Sequence, residues 1–258
     1  MKKSDNQEKV VGLTGFSESK DPEVKRPRKG IYLLPNLLTT GALFGGFYAV
    51  LSGFSGGYEL AAIAIFVAMV FDGLDGRVAR MTNTSSDFGV QYDSLSDMVS
   101  FGVAPAVVVY GWSLSGLGKV GIAAAFVYAS CAALRLARFN VDSGLNNGKI
   151  FIGLPSPAAA ALIAGFVWSA QALTPSLLLS SFTALLTALA GLLMVSNFKY
   201  PSFKQIDLRG KVPFVVILSI VMSFVVITID PPRILFILAF GFALFAPMKF
   251  LWSKFSRS

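Results

Sequence analysis

The chain has 258 residues, 54% of them hydrophobic and only 14% charged, where soluble domains carry roughly a quarter charged residues, which excludes an ordinary soluble globule. Its net charge of +8 is read as topology signal and lipid-headgroup contact, and not as a nucleic-acid footprint, because the basic residues punctuate apolar stretches. The single cysteine, Cys131, rules out an intrachain disulfide, and the absence of histidine rules out imidazole as base or metal ligand.

Residues 1–29 are polar, end in KRPRKG, and show no apolar region that would mark a cleaved signal, so they are expected to form a cytosolic tail. Residues 30–258 are expected to form one transmembrane catalytic domain. Within it, apolar segments stand at about 31–51, 59–80, 89–112, 118–140, 154–172, 175–196, 212–229 and 232–251. Their continuous hydrophobicity predicts an all-α bundle of about eight helices and not barrel strands. With the tail placed inside, 20 of the 22 Lys and Arg residues fall on that side and only Lys119 and Arg233 fall outside. This asymmetry predicts a multi-pass inner-membrane protein with both termini in the cytosol.

The segment FDGLDGRVARMTNTSSDFGVQYDSLSD places Asp72, Asp75, Asp93 and Asp97 at the cytosolic ends of the second and third helices. Acids near a bilayer are costly, about 2.5–3.5 kcal/mol each at a helix centre, so they are expected to face a protein interior and to serve a function. Asp72 and Asp75 lie within about 60° on one helical face, and Asp93 and Asp97 within about 40°. A short hairpin rich in Thr, Asn and Ser would bring the two pairs together. Mutual repulsion then demands cations, and oxygen-only ligands suit one or two hard divalent ions such as Mg²⁺ or Mn²⁺ and not zinc. Such a site can clamp a pyrophosphate during phosphoryl displacement. Gly73, Gly76 and Gly89 remove bulk around it, and Arg80 could reach a phosphate. Any one of these aspartates could merely cap a helix, and Asp87 is assigned that role.

Asp72, Asp75, Gly76, Ala79, Arg80, Gly89, Asp93 and Asp97 spell D-x2-D-G-x2-A-R-x8-G-x3-D-x3-D. This resembles the signature of the CDP-alcohol phosphotransferase family. The resemblance implies that Asp72, Asp75, Asp93 and Asp97 bind two divalent metals, that Asp97 is the general base, and that Asp72, Gly76, Arg80 and Gly89 contact the CDP moiety. It implies transfer of a substituted phosphoryl group from a CDP-linked donor to an alcohol with release of CMP, and a homodimer. Pro35, Asn36 and Thr39 resemble the family's first-helix pattern and are expected either to line the nucleotide site or to cap the helix.

Two further stretches resemble the bacterial and archaeal phosphatidylserine synthases within that family. They are SFGVAPA, from Ser100 to Ala106, and LRLARFNVD with FIGLPSPAAA, from Leu134 to Asp142 and from Phe151 to Ala160. On that resemblance the expected substrates are CDP-diacylglycerol and L-serine, drawn from and returned to membrane lipid. Arg135 and Arg138 could hold the serine carboxylate and the lipid phosphate through bidentate forks, or could be ordinary positive-inside anchors. Asn140 and Lys149 are further candidates for the acceptor side. Glycerol 3-phosphate or inositol phosphate is the alternative acceptor. An ion transporter, the reading from another class, would need acids along a path across the membrane, and helices five to eight supply none.

Overall fold

The computed structural model describes residues 33–82, 84, 86–142, 150–201 and 214–255. The expected tail and Lys149 lie outside them. Each expected apolar segment coincides with helix: α1 (Leu33–Phe54), α2 (Tyr58–Thr82), α3 (Asp87–Asp97) running on into α4 (Ala104–Trp112), α5 (Lys119–Asp142), α6 (Ser156–Ala170), α7 (Leu177–Val195), α8 (Phe214–Ile229) and α9 (Pro231–Phe255). Among the described residues, five spans are long and apolar enough to cross a membrane, with α3 and α4 counted as one. Of the others, α2 ends in Asp72, Asp75, Arg77 and Arg80, and α6 has 15 residues. The chain is a multi-pass helical membrane protein.

Small residues set the contact between α1 and α2. Ala42, Gly45, Gly46 and Ala49 on α1 are buried, as are Ala61, Ala64 and Ala68 on α2. A side chain added at Gly45 would stand 3.1 Å from the Ala68 methyl, so the backbones already touch, and dispersion at such contacts drives association where lipid removes the hydrophobic force. The turn between these helices runs through Gly56 at φ 78°, a left-handed position that glycine alone occupies without strain.

The third span is not one α-helix, as its apolar run suggests. Residues Met98–Val103, between α3 and α4, form a π-helical stretch. Such insertions change the helical phase and recur at functional sites. Here it is held from both sides: Ser100 Oγ donates to Ala42 O on α1 at 2.9 Å, and Tyr128 on α5 donates to Phe101 O at 3.0 Å. Ser96, one turn earlier, donates to Thr39 O at 3.1 Å. The core of Ile65, Phe101, Val109, Tyr128, Ile163 and Val167 lies where α2, α4, α5 and α6 meet. Large apolar residues such as Phe44, Phe126, Leu178 and Phe224 remain exposed, which is the expected outer face of a bundle solvated by lipid.

A small antiparallel pair joins the two loops flanking α6 and α7. Strand β1 (Ile150–Ile152) pairs with β2 (Lys199–Pro201). Gly153, at φ 79°, turns the chain after β1, and Leu154 N donates to Leu193 O at 2.9 Å. This strap fixes the start of α6, from which Pro155 and Pro157 reach the site.

Candidate active site

Helix α2 delivers Asp72 and Asp75 on one face. A short connection leads to Ser86, whose hydroxyl accepts from Gly89 N at 3.0 Å and starts α3, the carrier of Asp93 and Asp97. The hairpin tightens itself through Thr84 N donating to Ala79 O at 3.0 Å and a 2.7 Å hydroxyl contact between Thr82 and Thr84. The two acidic faces are thereby brought together.

One carboxylate oxygen from each of Asp72, Asp75 and Asp93 lies within 4.8 Å of the others. Ligands on opposite sides of an ion bound at about 2.1–2.4 Å stand roughly 4.2–4.8 Å apart, so this all-oxygen set fits a hard divalent cation. Asp75 is 5% exposed, and Thr39 Oγ1 donates to its Oδ2 at 2.6 Å, which orients the carboxylate from α1. Asp97 stands outside the tight set but within side-chain hydrogen-bond reach of Asp72, and the charges of Asp93 and Arg135 act on it.

Two cavities meet at these carboxylates, with Asp75, Gly76 and Asp93 in the walls of both. The smaller, about 160 Å³, is completed by Pro35, Asn36, Thr39, Ser86 and Gly89. The larger, about 360 Å³, adds Asp72, Arg80, Asp97 and Arg135, with Phe139 and Pro155 as an apolar wall. Thus Asn36, Thr39, Gly76 and Gly89, expected to bind nucleotide, do share one cavity. Arg80 lines the larger one, with its Nε donating to Gly76 O at 2.9 Å.

The acceptor-side candidates separate. Arg135 is buried in the cavity wall and its Nη1 donates to Ser156 Oγ at 2.7 Å. Arg138 is exposed, donates to Asn197 Oδ1 at 3.3 Å, and is not in either wall. Asn140 accepts from Ser94, itself a wall residue, at 3.1 Å. Sequence reasoning did not assign Ser94, Phe139, Pro155 or Ser156 a place in the site. The last two lie in the FIGLPSPAAA stretch, but nothing in their spacing signals a contact with α5.

The family model for CDP-alcohol phosphatidyltransferase matches residues 32–196. The chain is 38% identical over 205 residues to the CDP-diacylglycerol–serine O-phosphatidyltransferase of Helicobacter pylori, covering 77% of this chain and 84% of that protein. It is 36% identical over 174 residues to the protein of the same name from Bacillus subtilis, covering 67% and 92%. Over 139 residues it is 48% identical to that from Methanocaldococcus jannaschii, covering 54% and 62%.

Proposed function

This chain belongs to the CDP-alcohol phosphatidyltransferase family, and from that premise we propose that it converts CDP-diacylglycerol and L-serine to phosphatidylserine and CMP. The observation that carries the reading is the position of the three-carboxylate set between two cavities, one of which also holds a fourth acid and a buried arginine.

In this reading the smaller cavity receives the cytidine nucleotide, where Asn36, Gly76 and Gly89 leave room and polar contacts for it. Asp72, Asp75 and Asp93 would hold divalent metal, Mg²⁺ or Mn²⁺ and two ions when Asp97 shares in ligation, which supplies charge neutralisation for the pyrophosphate. Arg80, at the larger cavity, offers a guanidinium to a phosphate oxygen. Serine enters the larger cavity with its carboxylate toward Arg135. Asp97 takes the hydroxyl proton, the freed oxygen attacks the phosphorus that bears diacylglycerol, and the bond to the CMP oxygen breaks. CMP leaves with the electron pair. The excess of Lys and Arg on one side supports an inner membrane with the site and both termini facing the cytosol. The family resemblance supports a homodimer, which light scattering in detergent measures.

The test is purified protein with CDP-diacylglycerol and radiolabelled L-serine, with and without chelator. Labelled lipid and CMP should form together, stop with chelator, and return with added Mg²⁺ or Mn²⁺. Glycerol 3-phosphate in place of serine should yield no lipid product, and preferential transfer to it would replace this acceptor assignment.

A further inference from the structure

Arg135 is 9% exposed, yet its Nε finds no hydrogen-bond partner among the described residues. A buried guanidinium with an unsatisfied N–H is costly, because water has been removed and not replaced. Its location adds to the cost. Nη1 rests on the hydroxyl of Ser156, the first residue of α6, and the N-terminus of a helix carries partial positive charge that disfavours a cation. Helix α6 has no side-chain cap, and Ser156, the one hydroxyl in its first turn, accepts from the cation. Ser156 is itself fully buried. A cation, a helix N-terminus and an unsatisfied N–H at one cavity wall are together completed by an anion.

We propose that Ser156 is a positioning residue for the acceptor: its hydroxyl fixes the Arg135 guanidinium in one orientation, so that the remaining N–H groups meet the carboxylate of an amino-acid alcohol. The inference rests on the serine-transfer reading above and names the device that gives it selectivity. Arg135 and Asp97 line the same cavity, and the charge of Asp97 acts on the guanidinium. A carboxylate seated on the guanidinium therefore brings a hydroxyl only a few bonds away toward the base. An alcohol without a carboxylate gains nothing from Ser156.

The test is steady-state kinetics of the full-length protein in detergent micelles containing CDP-diacylglycerol. Ser156→Ala should raise the KM for L-serine roughly tenfold, the scale of one charge-assisted hydrogen bond, with kcat and the KM for CDP-diacylglycerol within about twofold of the parent. Ser156→Thr, which keeps the hydroxyl, should stay near the parent. Ser156→Cys keeps the volume but accepts poorly, and should match Ser156→Ala, so it stands in if the alanine variant does not fold. In an Arg135→Ala background, Ser156→Ala should add no further rise in serine KM. Serinol, the amino alcohol lacking the carboxylate, should be used no worse by Ser156→Ala than by the parent. An unchanged serine KM in an active Ser156→Ala protein overturns the positioning role and leaves the serine-transfer reading standing. So does a fall in kcat alone, or full additivity with Arg135→Ala. No serine transfer by the parent overturns both.

Discussion

Thr39 on α1 donates its hydroxyl to Asp75 on α2 across 2.6 Å, and the same oxygen lies 3.1 Å from Pro35 O. The residue that resembles part of a nucleotide-site pattern in sequence is thus also the orienting partner of a carboxylate. Thr39→Val keeps shape and removes that donor. Outer partners of metal-binding carboxylates are worth about 10–100-fold in metal affinity, so half-saturating Mg²⁺ or Mn²⁺ should rise about tenfold or more. Metal titration of activity at saturating serine measures it, and a coincident curve for parent and variant would remove Thr39 from the support of the site.

Asp72 and Asp97 both line the larger cavity, but only Asp72 belongs to the tight oxygen set. Asp97→Asn should therefore retain CDP-diacylglycerol binding while turnover falls by about 10²–10⁴, the usual worth of a general base. Asp72→Asn should lose metal-dependent donor binding as well as turnover. Isothermal titration with a non-reactive CDP-lipid analogue, run beside the activity assay, separates the two. Equal loss of donor binding in both variants would count against a distinct base.

What the sequence revealed and what it hid follow a physical division. Asp72, Asp75, Asp93 and Asp97 are local in pairs, and helical spacing alone puts each pair on one face. The apolar runs are long enough to speak for themselves. By contrast, the π-helical stretch at Met98–Val103 is held by contacts of Ser100 with Ala42 and of Tyr128 with Phe101, partners on other helices that no local pattern announces. The same holds for the pairing of Phe151 with Tyr200, which links two loops on either side of α6 and α7. Arg135 and Arg138 look alike in sequence because they sit three apart on one helix. Their partners on other elements tell them apart: the first donates to Ser156 at the start of α6, the second to Asn197 after α7.

That difference makes a direct prediction. Arg135→Ala removes the guanidinium from the cavity wall and should raise the serine requirement by roughly 10–100-fold, as expected for loss of a charge-assisted contact. Arg138→Ala breaks an exposed 3.3 Å contact with Asn197 and should change serine KM by no more than about twofold. Serine saturation curves at fixed CDP-diacylglycerol decide the matter. Equal increases in the two variants would mean that Arg138 swings into the cavity when substrate is bound.

The contact between α1 and the π-helical stretch should tolerate little added bulk. A methyl group added at Gly46 would lie 2.6 Å from Ser100 Cα and 2.5 Å from its Oγ, so backbone and not a flexible side chain would have to yield. Overpacking of this kind costs about 1–3 kcal/mol or more. Gly46→Ala should therefore lower the unfolding temperature in detergent by several degrees. It should also reduce activity below that temperature, because Ser96 and Ser100 tie α1 to the same span that carries Asp93 and Asp97. Gly241→Ala on α9 is the control: nothing lies within 4 Å of the added methyl, and replacing a helical glycine gains about 0.5–1 kcal/mol. If Gly46→Ala unfolds with the parent while Gly241→Ala is stabilised, α1 and the third span have slack between them. The carboxylate geometry would then have to be held from α2 and α5 alone.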